Sequence, residues 1–123
     1  MSDQFNASVV QSLAKEPEIE IETQSPKSPG RVVIWIVEDG GQLYIRSVHG
    51  ERGRWYRNIK LQPEATIHGA GEHLPVKAVA VTDDQEIERV SQAYRMKYAF
   101  DPPDVANITK PETLPTTLRL LST

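Results

Sequence analysis

The 123-residue chain contains no cysteine. That absence removes disulfides, thiolate nucleophiles, Cys-ligated zinc and iron–sulfur clusters together, and it fits a reducing, cytoplasmic location. Long apolar runs are missing as well. The longest is Val32 to Val37, far short of the roughly 20 residues of a membrane-spanning helix. Met1 to Gln11 lacks the basic-then-apolar pattern of a secretory leader, so a soluble chain with no membrane association is expected. No Gly-x-Ser-x-Gly elbow, P-loop or dinucleotide-binding glycine fingerprint occurs, which leaves no local signal for serine hydrolysis, nucleotide hydrolysis or a Rossmann site. There is no internal repeat and no low-complexity tract.

What is present is an ordinary globular composition: 38% hydrophobic, 25% charged, and 14 Lys+Arg against 17 Asp+Glu, for a net charge of −3. A chain of this size buries about two-thirds of its unfolded surface, enough for one core without staples. One domain over residues 1–123 is expected. Phe5, Val9 and Leu13 recur at four-residue spacing after Ser2 or Asp3, either of which suits an N-cap, so a helix over 3–14 should dock on the rest before Pro17 ends it. Glu18 to Thr23 alternates acidic and β-branched residues, the period of a half-exposed or edge strand. Gln24 to Gly30 is a proline- and serine-rich loop.

Arg31 to Val37, the turn Glu38 to Gln42 and Leu43 to Val48 read as a hairpin. Its first arm shows no polar alternation, which predicts a central strand covered on both faces. A second hairpin runs from Ala65 to Val81 around Gly69-Ala70-Gly71, with Leu74, Val76, Ala78 and Ala80 on one side and Pro75 as a local weakness. Asp83 and Glu86 form a capping box for a helix carrying Ile87, Val90, Tyr94 and Tyr98 to about Phe100. Pro102-Pro103 stops it, a loop follows, and Thr116 to Leu121 closes the chain as a strand. Antiparallel strands mixed with helices in a non-alternating order make the class α+β.

Between the hairpins, Arg46, Arg52, Arg54, Arg57 and Lys60 face only Glu51. This stretch carries about +4, leaving about −7 on the remainder. His49-Gly50 and Gly53 make its backbone permissive, Trp55-Tyr56 adds flat aromatic surface, and Asn58 adds an amide. Arginine forks, free N–H groups at a helix start and aromatic planes are the parts that hold a phosphate attached to a planar ring. A solvated basic face with Trp55 and Ile59 as core anchors accounts for the same composition. Single-stranded nucleic-acid binding through this patch ranks below both, because the chain is acidic overall and only this segment is basic.

The run Val33-Ile34-Trp35-Ile36-Val37, then Leu43-Tyr44-Ile45-Arg46-Ser47, Gly50, Gly53 and Trp55-Tyr56-Arg57-Asn58 resembles a family of small bacterial proteins of unassigned function. That family is similar to the deazaflavin-dependent nitroreductases, within the split β-barrel group that includes the pyridoxamine phosphate oxidases. The order continues through Pro63 to Ile67, the Gly69-to-Gly71 turn, Tyr94 and Tyr98, and Leu114 to Leu120. The resemblance implies a six-stranded, mostly antiparallel split barrel with flanking helices, a homodimer, and FMN or a deazaflavin lying across the barrel. It places Ser47, His49, Gly50, Trp55 and Asn58 in the cofactor-contacting segment, with Arg46, Arg52 and Arg57 beside them. Lys27 and Arg31 fall in the loop that approaches the phosphate tail. The deazaflavin enzymes usually carry a basic residue where this chain has Val48, and a Thr and a Pro where it has Val32 and Val33.

The implied activity is that of a small oxidoreductase, its substrate unnamed, with redox chemistry belonging to the cofactor and no catalytic acid–base pair required. The rival is a cofactor-free binding or structural module whose pocket is filled by Trp35 and Trp55. Tyr94 and Tyr98 share one helix face and either border a substrate pocket or lie in the core. His49, His68 and His73 match no metal motif, so no metal site is expected. His68 and His73 flank a hairpin turn where they can face each other across the strands, and read as solvated positions.

Overall fold

The computed structural model describes residues 5–24 and 30–123. Helix α1 (Ala7–Lys15) is followed by β1 (Ile19–Thr23), β2 (Arg31–Ile34), β3 (Val37–Asp39), β4 (Gln42–Ile45), α2 (Arg54–Leu61), β5 (Glu64–Gly69), β6 (Glu72–Ala80), α3 (Asp84–Lys97), α4 (Pro102–Thr109) and β7 (Leu118–Ser122). The seven strands form one sheet in the order β2-β1-β5-β6-β7-β4-β3, with every pairing antiparallel. Its two edge strands, β2 and β3, are separated in the chain only by Trp35 and Ile36. Their closeness requires the sheet to curl until its edges approach. The class is α+β, as the element order predicts.

The expected strand count and the expected central strand both need correction. The run from Arg31 to Val37 is not one strand: it breaks at Trp35-Ile36 and serves two opposite edges, giving seven strands in place of six. Nor is its first half covered, since Val32 and Val33 are 42% and 54% exposed. A continuous β-branched run is the pattern of a doubly buried strand, but here it reflects a segment that closes a curled sheet.

Both hairpins turn where the glycines predict. Gly40 and Gly41 (φ +59° and +82°) join β3 to β4, while Ala70 and Gly71 (φ +52° and +76°) join β5 to β6. Positive φ at both central residues is the geometry that matches strand twist. Leu74, Val76 and Ala78 point inward as expected; Ala80 is exposed although still paired with Leu118 of β7, at a point where β6 has run past its partner β5. Pro75 is accommodated because the ladder to β7 begins only at Val76.

Helix α1 is capped by Asn6, whose side chain accepts from Ser8 N; the expected caps Ser2 and Asp3 lie outside the described residues. Val10 and Leu13 are its buried positions, with Phe5 and Val9 packed at the edge. They join one core cluster inside the curl with β1, β4, β5 and α2. A second cluster lies under α3 and α4, where Val90, Tyr94, Tyr98 and Ile108 cover Val37 and Tyr44. Asp83 caps α3 by accepting from Glu86 N at 2.8 Å. The loop expected after Pro102-Pro103 is instead the helix α4, with Asp101 as its cap and proline at its first positions. Proline breaks a helix interior but suits the first turn, where its missing N–H has no partner to lose.

Candidate functional site

Strand β4 ends at Ile45, and the chain leaves the sheet through Arg46 and Ser47, both buried. Protein oxygens hold the Arg46 guanidinium: Nε donates to Thr117 Oγ1 (2.8 Å), Nη1 to Ser91 Oγ (2.8 Å) and Ile108 O (3.3 Å), and Nη2 to Ile87 O (2.8 Å). One side chain thus ties α3, α4 and the approach to β7 onto the end of β4. Among the described residues no carboxylate pairs with it. Burial lowers its pKa, yet a guanidinium keeps its proton in proteins. A positive charge is therefore fixed at this point.

The next residue carries an unpaired hydroxyl. Ser47 N donates to Thr116 Oγ1 at 3.0 Å, whereas its buried Oγ has no hydrogen-bond partner among the described residues. That oxygen lies against Gly53, where any Cβ would run into it. Gly53 is the N-cap of α2 and provides no side-chain cap. Gly50, at φ +67° and with Glu112 O 3.1 Å from where its Cβ would stand, turns the chain between them. The hydroxyl and the uncapped start of α2 thus come together, at the end of the helix where its dipole favours an anion.

Beside this corner lies a cleft of about 270 Å³. Trp35 and Trp55 give it aromatic walls, and Val32, Val33, Val48 and Ile108 extend them. Arg46 and His49 contribute its basic groups, and Glu18 and Asp104 its acidic ones. Trp35 is braced by stacking on Tyr98, centroids 3.6 Å apart with parallel planes, and Trp55 meets Tyr56 edge-on.

The expected site residues divide between this cleft and other places. Arg46, His49 and Trp55 line the cleft, and Ser47 and Gly50 form the adjoining corner. Arg52 and Arg57 are exposed outside it. The Asn58 amide is turned inward, its Nδ2 donating to Thr23 Oγ1 at 3.2 Å. Arg31 is exposed, 3.7 Å from Glu20 and 4.0 Å from Glu22, and Lys27 lies outside the described residues. Tyr94, on α3, and Tyr98, at its C-cap, are fully buried and do not line this cleft. Their place is the core: Tyr98 donates to Pro17 O at 2.8 Å, and burial pushes both hydroxyls up in pKa. Reading the sequence missed Glu18, Asp104 and Ile108 as cleft residues. The last two come from α4, whose signal was the Asp101-Pro102-Pro103 start.

The family of uncharacterized proteins conserved in bacteria, DUF2255, matches residues 9–120. The chain belongs to that family. None of the curated proteins matches it in sequence. Among solved structures, it is similar to an F420-H2 dependent reductase, FDR-A, with a TM-score of 0.64 and 20% identity over 87% of this chain and 95% of that one. A Listeria innocua protein provisionally assigned as a pyridoxamine 5′-phosphate oxidase superposes with a TM-score of 0.62 and 13% identity, covering 94% and 90%. A FAD-binding protein from Mesorhizobium loti gives 0.64 and 13%, covering 96% and 88%. At these identities the likeness establishes the fold, the split barrel, and leaves function to the residues.

Proposed function

We propose that the protein binds a flavin-type cofactor, FMN or a deazaflavin, in this cleft and acts as a small oxidoreductase on a small-molecule substrate. The observation that carries the reading is the Ser47 hydroxyl, buried without a partner beside the uncapped start of α2. A buried hydroxyl left unpaired costs about 1–3 kcal/mol, so a rotation of this side chain that lets it donate to a bound phosphate oxygen recovers what the free protein lacks. Gly53, which has no Cβ, leaves room for Ser47 Oγ over the start of α2. Arg52 supplies exposed positive charge nearby, and Trp35, Trp55, Val32 and Val33 offer a flat apolar wall for a ring. The positions where the chain differs from the deazaflavin enzymes, Val32, Val33 and Val48, all lie on that wall.

The cofactor would supply the electron or hydride transfer, while the chain binds, orients and shields it. One chain forms only part of such a site. Its cleft is smaller than the roughly 300–1,000 Å³ of ligand pockets, and the exposed Val32 and Val33 need a cover; a second copy in a homodimer provides it.

The test is titration of tag-free protein with FMN and then with F420 under Trp fluorescence. Saturable quenching at micromolar or tighter affinity is expected. Ser47→Ala should weaken it by about tenfold, the worth of one charge-assisted hydrogen bond, and Arg52→Ala with Arg57→Ala by at least as much. Light scattering should give a dimer. No response to either cofactor would leave a cofactor-free module, its pocket filled by Trp35 and Trp55.

A further inference from the structure

The turn between β5 and β6 places His68 directly opposite His73, and the ladder to β1 places Glu20 opposite His68 on the other side. Because β5 is paired on both edges, the His68 backbone is fixed. Its ring is gripped as well: Nε2 lies 2.8 Å from Glu22 Oε1, and Nδ1 lies 2.6 Å from His73 Nδ1. A carboxylate only accepts hydrogen bonds, so the proton of a neutral His68 sits on Nε2 and its Nδ1 presents a lone pair. The nearest atom to that lone pair is another imidazole nitrogen. His73 meets it in one of two ways: protonated on Nδ1 it donates a hydrogen bond, and protonated on Nε2 it presents a second lone pair that a single cation can share.

We propose that His68 and His73 form a site for a divalent transition metal that favours tetragonal nitrogen and oxygen coordination, copper(II) or nickel(II). Glu22 acts as the carboxylate behind the ligand, the arrangement that fixes ring orientation and raises ligand basicity at histidine metal sites. The spacing of the two nitrogens favours this metal class. With metal–imidazole bonds of about 2.0 Å, adjacent ligands of a square plane lie about 2.8 Å apart, whereas a tetrahedral pair lies about 3.3 Å apart. The observed 2.6 Å is nearer the first and reaches it with the smaller side-chain rotation. His73 is exposed and free to make that adjustment.

No third His, Cys, Asp or Glu among the described residues completes a metal cluster, so water fills the remaining positions. Glu20 and Glu22 add negative charge beside the pair, offset by Arg31, which is 3.7 Å and 4.0 Å from them. The site lies on the hairpin's exposed face, apart from the cleft, and does not depend on the cofactor reading.

The experiment is calorimetric titration of tag-free protein with copper(II) chloride and, separately, nickel(II) chloride, with electron paramagnetic resonance of the copper complex. One equivalent of copper should bind, its spectrum showing two imidazole nitrogens. Glu22→Gln should weaken binding by about tenfold, and His73→Ala and His68→Ala by more. His49→Ala should change nothing. Circular dichroism establishes that each variant is folded, and His73, being exposed, is the variant least able to disturb folding. Unchanged copper affinity in folded His73→Ala, or a spectrum with a single imidazole nitrogen, would overturn the proposal and leave a hydrogen bond sharing one proton between the rings.

Discussion

Ser47 and Gly53 are coupled by contact, and the coupling can be measured. A Cβ built on Gly53 runs into Ser47 Oγ, while the next atoms, Gly50 O and Ser47 Cβ, stand at 3.4 Å. Gly53→Ala alone should therefore cost about 1–3 kcal/mol as an overpacked contact, reduced by up to about 1 kcal/mol from the lower entropy of the unfolded chain. Ser47→Ala alone removes a buried hydroxyl that has no partner, so it should be neutral or stabilise the free protein by up to about 1 kcal/mol. In the double variant the clashing oxygen is gone and both remaining contacts are ordinary. Gly53→Ala should then be nearly silent, giving a coupling energy of about 1–2 kcal/mol. Urea unfolding of the four proteins, with no cofactor added, measures all four corners. Additive effects would refute the placement of Ser47 Oγ over the start of α2. A stabilised Ser47→Ala that also loses cofactor affinity would mark this serine as a binding group kept at the expense of stability.

Two further outcomes follow from polar groups away from the cleft. Lys97 donates to Ile36 O at 2.6 Å, and burial lowers its pKa from 10.5 to about 8. Between those values the unfolded chain binds the extra proton, so stability should rise with pH across the window, by about 1 kcal/mol once solvent screening is allowed for. Urea midpoints at pH 7.5 and 9.5 should separate in the native protein and coincide more closely in Lys97→Met, where the linkage is removed. Tyr44 donates to Glu86 Oε2 at 2.6 Å, and Arg119 meets the same oxygen at 2.9 Å; burial and Glu86 push the Tyr44 hydroxyl up to about 12. Tyr44→Phe should cost about 1.5–3 kcal/mol, the range for a hydrogen bond to a charged group, read as a lowered urea midpoint with an unchanged slope.

Where the backbone's own requirements decide the outcome, the sequence alone was sufficient. The two hairpin turns need positive φ, and Gly40, Gly41 and Gly71 announce it; Asp83 and Glu86 announce the start of α3 through a hydrogen bond three residues long. The basic, glycine-punctuated stretch from Arg46 to Asn58 likewise marked the corner from which the cleft is built. These features depend on neighbours a few residues apart, so a linear reading captures them. Which face is covered depends on contacts across the fold, and there the linear reading runs out. Val32 to Val37 has the composition of a buried strand but closes a curled sheet at its edges, and Tyr94 and Tyr98 have a helix spacing that suits either a pocket or a core. Arg46 looked like a surface cation, yet it is buried on oxygens from Ile87, Ser91, Ile108 and Thr117, more than 40 residues away. Only the curl of the sheet brings those groups together, as it places the Ser47 hydroxyl beside Gly53. The sequence determined the parts and their local geometry; the closure of the sheet decided which of them meet.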